Sequence, residues 1–326
     1  MKKYGLAALS ATFGSLGLCC LTDAASAEEG GSGHYLPGSI ADFIDAVPLN
    51  EGFFVKFNGL GYIGSASITK RLPFAGVIVG GPKAEIWGEG VSLVWRPSFD
   101  FGPRWSYAMS VTIPYIEAYV SASGTASLLN GASISAEKSK TTDAIGDIVL
   151  MPLMLNYNVN SDLNANFRLG IYAPTGDYEV GRQSNTGKNF WTFEPILGLM
   201  YFGKTNGLEV SVYPCIDINT TDDATHYRSG AQFHIDGTLA QHLPFLGGLA
   251  GLGVSAYDYR QVTADTGVGA NLGAFEGKSI GVGPVASYIT KIAGHDTSFE
   301  VKWLHEVETQ NRLQGNIYWL KAVTRF

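Results

Sequence analysis

The feature that most constrains this chain is a period-two alternation of apolar and polar residues, carried in runs of about ten residues. From Leu208 to Asn219, Leu208, Val210, Val212, Pro214, Ile216 and Ile218 alternate with Glu209, Ser211, Tyr213, Cys215, Asp217 and Asn219. Residues 162–172, 228–239 and 299–308 repeat the pattern, the last with Phe299, Val301, Trp303 and Val307 against Glu300, Lys302, Glu306 and Glu308. A strand places successive side chains on opposite faces, so each run has one lipid-like face and one polar face. A tilted strand of about 9–11 residues crosses the hydrocarbon layer, and these runs are long enough. After the first 27 residues no apolar stretch reaches about 18 residues, which excludes membrane-spanning helices.

Read in this way the chain holds about twelve strands, near 51–64, 86–97, 103–119, 144–157, 161–173, 190–203, 206–219, 228–242, 247–261, 278–291, 297–308 and 315–326. The connections between them alternate short and long, which is the signature of turns at one barrel end and loops at the other. An even strand number returns both termini to the same side. Residues 1–27 read as a secretory signal peptide: Lys2 and Lys3, an apolar stretch, then Ala25-Ser26-Ala27. An anchor helix and a lipoprotein site at Cys19 or Cys20 are the alternatives. Cleavage leaves Cys215 as the single cysteine, so no intramolecular disulfide forms. Residues 28–50 are expected as a periplasmic or plug segment, with a short helix over 39–45, and residues 51–326 as the barrel.

A soluble β-sandwich with one wet face per sheet also alternates. It has no need of aromatics at strand ends, whereas Trp87, Trp95, Trp105, Tyr115, Trp191, Tyr201, Tyr257, Tyr259, Tyr318 and Phe326 fall there and suit interfacial girdles. The chain ends on Phe326 at the last strand position, a sorting feature that fits delivery by the barrel-assembly machinery. The expected class is therefore an all-β, transmembrane, antiparallel up-and-down barrel in the bacterial outer membrane, among lipid and lipopolysaccharide. With 22 basic against 29 acidic side chains, nothing favours nucleic acid.

Gly59, Gly61 and Gly64 match a dinucleotide fingerprint formally, but no helix follows. Ser67 with Lys70 and Ser135 with Lys138 lie in expected loops and lack companion motifs. The histidines show no HxxxH or HxH spacing, so neither a metal nor a cofactor is expected. A hydrolase of the barrel wall would need His234 beside a serine. The inward phase instead collects charge: Lys56, Arg96, Arg104, Asp147, Arg168, Glu194, Glu209, Asp217, His234, Asp236, Glu300, Lys302, Glu306, Lys321 and Arg325, with Tyr62, Tyr172, Tyr213, Tyr257 and Tyr259. These either fill and rigidify the barrel or line a pathway.

Several stretches are characteristic: His34-Tyr35-Leu36-Pro37-Gly38, Ala173-Pro174-Thr175-Gly176-Asp177-Tyr178, Asn189-Phe190-Trp191-Thr192-Phe193-Glu194-Pro195, Tyr227-x-Ser229-Gly230-x-x-Phe233-His234-x-Asp236 and Tyr257-x-Tyr259-x-Gln261-Val262-Thr263-x-Asp265. Together they resemble the phenol meta-degradation (MetA-like) family of outer-membrane transporters. The resemblance implies passive uptake of small hydrophobic or aromatic compounds. Candidate path residues are Arg168, Asp177, Glu194, Glu209, Asp217, His234, Asp236, Tyr257, Tyr259, Gln261, Asp265, Glu300 and Lys302. A closed structural or binding barrel is the competing expectation, with an outer-membrane hydrolase or acyltransferase behind it.

Overall fold

The computed structural model describes residues 33–66, 71–74, 77–99, 101–127, 133–182, 184–270 and 276–326. Residues 1–27, expected as a signal peptide, lie outside them. Alternating residues dictate strands, and the structure has fourteen: β1 (Gly52–Ser65), β2 (Arg71–Phe74), β3 (Val77–Arg96), β4 (Trp105–Ser127), β5 (Ser133–Ile145), β6 (Ile148–Asn158), β7 (Leu163–Ala173), β8 (Thr192–Phe202), β9 (Leu208–Asn219), β10 (Gln232–Phe245), β11 (Gly248–Gln261), β12 (Lys278–Ile292), β13 (His295–Gln310) and β14 (Gln314–Arg325). All pairings are antiparallel, and β1 pairs with β14 from Phe54↔Arg325 to Ser65↔Gln314, which closes the sheet. The ring is twelve strands, because β2 and β5 prolong their neighbours. β2 pairs with the start of β3, and β5 pairs with the far half of β4 while β6 takes the near half.

β3 and β4 therefore reach well beyond the expected 86–97 and 103–119. The added part of β4, Ser121-Ala122-Ser123-Gly124-Thr125-Ala126-Ser127, has no large apolar residue to mark a face. Past the bilayer neither face meets lipid, so the alternation that reveals a strand fades. Ser135 and Lys138 consequently lie on β5 and not in a loop; residues 67–70 are outside the described set.

The radial distribution inverts that of a soluble protein. On β9, Glu209, Ser211, Tyr213, Cys215, Asp217 and Asn219 are buried, whereas Val210, Val212 and Ile218 are exposed. Leu197, Leu239, Leu252, Val301 and Leu320 are also at least half exposed on the outer face. A sandwich would hide these residues; a transmembrane barrel gives them to lipid. Phe53 stacks on Trp95, and Phe99, Phe101 and Tyr107 pack together near it, as interfacial aromatics do. Among the described residues no helix is long and apolar enough to cross a membrane. Two turns at this end, Leu246-Gly247 and Ala293-Gly294, hold both residues at positive φ, the two-residue hairpin geometry that matches strand twist. Arg104, expected inward, is exposed in the 97–104 turn and donates to the Tyr157 hydroxyl, because the strand begins one residue after it.

Candidate functional site: the inner segment and the lumen

Residues 33–50, the inner segment, run along the inside of the barrel wall and contain one short 3-10 turn, Phe43–Asp45. Period-two geometry delivers the charged side chains of the strands to it. Asp236 of β10 accepts the Tyr35 hydroxyl at 2.9 Å and the Gly38 amide at 2.7 Å. Lys302 of β13 donates to Asp42 at 2.7 Å, and Lys321 of β14 donates to Asp45 at 2.7 Å. Lys56 of β1 also pairs with Asp45. Glu300 sits between the two lysines, 3.3 Å from Lys302 and 3.5 Å from Lys321. Arg168 of β7 caps the Asp45 carbonyl at 2.6 Å, and Glu209 of β9 accepts the Phe43 amide at 2.8 Å. These ions are almost wholly buried, so each needs its partner; a buried charge without one is costly.

At the long-loop end Asp147, between β5 and β6, gathers four donors. Thr175 and Gly176 donate to one carboxylate oxygen, and Lys188 to the other, from backbone amides at 2.7–2.9 Å. His34 Nε2 completes the set at 2.8 Å, while its Nδ1 meets the Thr192 hydroxyl at 2.7 Å. Burial pushes the Asp147 carboxyl up, but the His34 and amide hydrogen bonds outweigh it and hold it below the usual carboxylate range. Burial lowers the His34 imidazole, against the pull of Asp147. A histidine held neutral on docking contributes stability that is full above its ordinary value of about 6.5 and is lost as pH falls below it. Chymotrypsin cleavage at Tyr35 or Phe43 in detergent should therefore rise from pH 7.5 to 5.5, and His34→Gln should flatten the profile. A wild-type profile as flat as the variant's would contradict this.

The inner segment leans on β9, β10, β13 and β14, and leaves a cavity of about 280 Å³ toward β1, β3, β4 and β6. Its barrel wall is apolar at Phe54 and Leu60 from β1, Ile86 and Val94 from β3, Ile116 from β4, and Met151 and Met154 from β6, with a polar band of Lys56, Asn58, Ser92, Ser110 and Thr112 between them. Leu36, Ile40 and Ile44 of the segment face them. Met151 and Met154 both reach this wall, although they stand three positions apart, an odd spacing. The β6–β7 register shifts between Leu150 and Leu153, and a bulge moves the inward phase by one residue.

A sequence model of the family described as "MetA-pathway of phenol degradation" matches residues 69–322. The chain belongs to that family. Comparison with curated proteins finds no match. Among solved structures the chain is similar to the COG4313 outer membrane channel from Pseudomonas putida F1, with 15% identity and a TM-score of 0.64 over 90% of this chain and 100% of that one. The beta domain of the Bordetella autotransporter BrkA gives 7% identity and a TM-score of 0.47 over 85% and 100%. The fold common to this family member and the first of these is that of an outer-membrane β-barrel.

Within this family member the expected path residues divide. Arg168 lines the cavity. Glu209, Asp236, Glu300 and Lys302 are buried against the inner segment. Glu194, Asp217 and His234 converge on β8, β9 and β10, and Tyr35 stacks on the His234 ring at 3.7 Å. Tyr259 stacks on Tyr35 at 5.6 Å, and Tyr257 donates to Glu306 at 2.8 Å. Gln261 and Asp265 bond each other at 2.6 Å where β11 leaves the sheet. Asp177 stands exposed in the 174–191 loop, its carboxyl held low by Arg182. The apolar cavity wall escapes an inward reading based on charge. Its signal was the loss of alternation in Phe53-Phe54-Val55 and in 148–155, where both faces are apolar.

Proposed function

We propose that the protein is an outer-membrane channel for passive uptake of small hydrophobic or aromatic compounds, and that the solute moves along the apolar wall opposite the inner segment. The cavity carries this reading: an apolar face within an otherwise charged lumen accepts a flat apolar solute and repels hydrated ions. Its volume of about 280 Å³ suits a single aromatic ring better than a sugar chain. The family description, which names phenol degradation, agrees with such a solute. The inner segment acts as a partial plug that narrows the lumen. The reading gives the barrel wall no hydrolase role: His234 contacts Glu194, Asp217 and Asp236 and, among the described residues, pairs with no serine. Lipid and lipopolysaccharide surround the barrel, and the assembly machinery reads β14.

Uptake of labelled phenol by a deletion strain carrying the wild-type chain or Leu60→Asn and Ile86→Asn variants tests the path. Each polar group set in the apolar wall should slow uptake on the order of tenfold, because the solute must pass a group that holds water. Phenol uptake equal to wild type in both variants would remove the path. A closed barrel, favoured by the ion lattice around Asp45, would give the same uptake with and without the protein.

A further inference from the structure

On three neighbouring strands, three buried side chains present ligand atoms to one point beneath the inner segment, and a fourth buried carboxylate, Asp217, stands beside them within reach of His234. Cys215 of β9 faces His234 of β10 directly. Thr192 faces Asn219 and Ile196 faces Cys215, which puts Glu194 of β8 beside Asp217. Ligand atoms of Glu194, Cys215 and His234 all lie within 4.8 Å of one another. His234 Nε2 is 3.2 Å from Glu194 Oε1 and 3.7 Å from Asp217 Oδ1. Ligands bonded at about 2.0 Å in a tetrahedron stand about 3.3 Å apart, so these spacings approach those of a coordination shell.

The hydrogen bonding points the same way. Both carboxylate oxygens of Asp217 and Nε2 of His234 lack a hydrogen-bond partner among the described residues, and Asp217 is fully buried. A single imidazole proton cannot serve Glu194 and Asp217 together. On the other side of the ring, His234 Nδ1 meets Asp236 Oδ2 at 3.3 Å. Metal-binding histidines are oriented by such a carboxylate on the second nitrogen. Asp236 is in turn fixed by Tyr35 and Gly38, so the inner segment roofs the point and holds its outer shell.

We propose that Glu194, Cys215, Asp217 and His234 form a tetrahedral site for a Zn2+-type divalent cation, whose occupancy fastens the inner segment through Asp236 and Tyr35. Thiolate with imidazole selects a borderline metal over Mg2+ or Ca2+. On binding, the Cys215 thiol gives its proton to solvent and its sulfur lone pair to the metal.

The test uses the mature full-length protein, stripped with chelator, refolded into detergent with Co2+ as the probe, and checked for folding by heat-dependent gel mobility. One Co2+ per chain should bind with a thiolate-to-cobalt charge-transfer band, displaced by Zn2+. Cys215→Ser should abolish the band, and the near-isosteric Asp217→Asn should weaken Co2+ at least about tenfold. Folded wild type without the band overturns the proposal, and so does a band retained in Cys215→Ser. Equal affinity in Asp217→Asn removes Asp217 as a ligand and overturns the four-ligand site. If Cys215→Ser does not fold, Asp217→Asn with the wild-type spectrum decides the matter.

Discussion

Deleting residues 33–50 is expected to raise single-channel conductance on the order of tenfold, because a twelve-strand barrel has a lumen that only side chains and this segment fill. The segment holds the wall from β9 to β14 through Asp42, Asp45, Tyr35 and the Gly38 amide. Its loss leaves Lys56, Lys302, Lys321 and Arg168 facing water, which charged groups accept readily once the lumen is wet. The barrel itself should persist, since every strand keeps both neighbours and β1 still pairs with β14. Planar-bilayer recording of the variant beside the wild type reads the effect, with heat-dependent gel mobility as the check on folding. If a folded deletion variant conducted no better than the wild type, the wall side chains alone would close the lumen and the segment would be no plug. A second consequence separates this from simple leakiness. Phenol flux should rise less than ion conductance, because the apolar wall of Phe54, Leu60 and Ile86 is already present in the intact protein.

The strands that cross the bilayer were legible because lipid on one side and polar lumen on the other impose opposite demands at every residue, as from Leu208 to Asn219. Where one demand lapses, legibility lapses too. β5 and the far half of β4 stand beyond the lipid, and β6 meets the cavity with Val149, Met151 and Met154, so both of its faces are apolar. The charges inside were also readable by phase, yet their partners were not. Asp42 and Asp45 resemble first-turn acids of a short helix, and nothing local in the chain links them to Lys302 and Lys321, more than 250 residues away. The cluster of Glu194, Cys215, Asp217 and His234 escapes a search for histidine spacing for the same reason. Its members lie on three strands, and hairpin lengths rather than a motif set their separations.

Asp45→Ala should release the inner segment almost as effectively as deleting it. Asp45 is the shared partner of Lys321 and Lys56, and its second oxygen also receives the Ala41 amide at 3.0 Å. Both lysine heads lie close to it, and Lys321 is wholly buried, so removal of the carboxylate leaves that charge in a dry place with only the more distant Glu300, at 3.5 Å, to answer it. Breaking a buried pair from one side costs roughly 3–5 kcal/mol, far more than an exposed pair at roughly 0–1 kcal/mol. The segment has an inexpensive escape, since undocking lets water reach Lys321 and Lys56. The cost should therefore appear as undocking and not as barrel unfolding: faster chymotrypsin cleavage at Phe43, higher conductance, and unchanged heat-dependent mobility. The double variant Asp45→Ala with Lys321→Met separates charge from packing. Removing the stranded cation with a side chain of similar length should restore much of the protection at Phe43, although Lys56 remains. Cleavage as slow in Asp45→Ala as in the wild type would mean that apolar contacts, such as Val47 against Ala108 and Met154, hold the segment without the ion lattice.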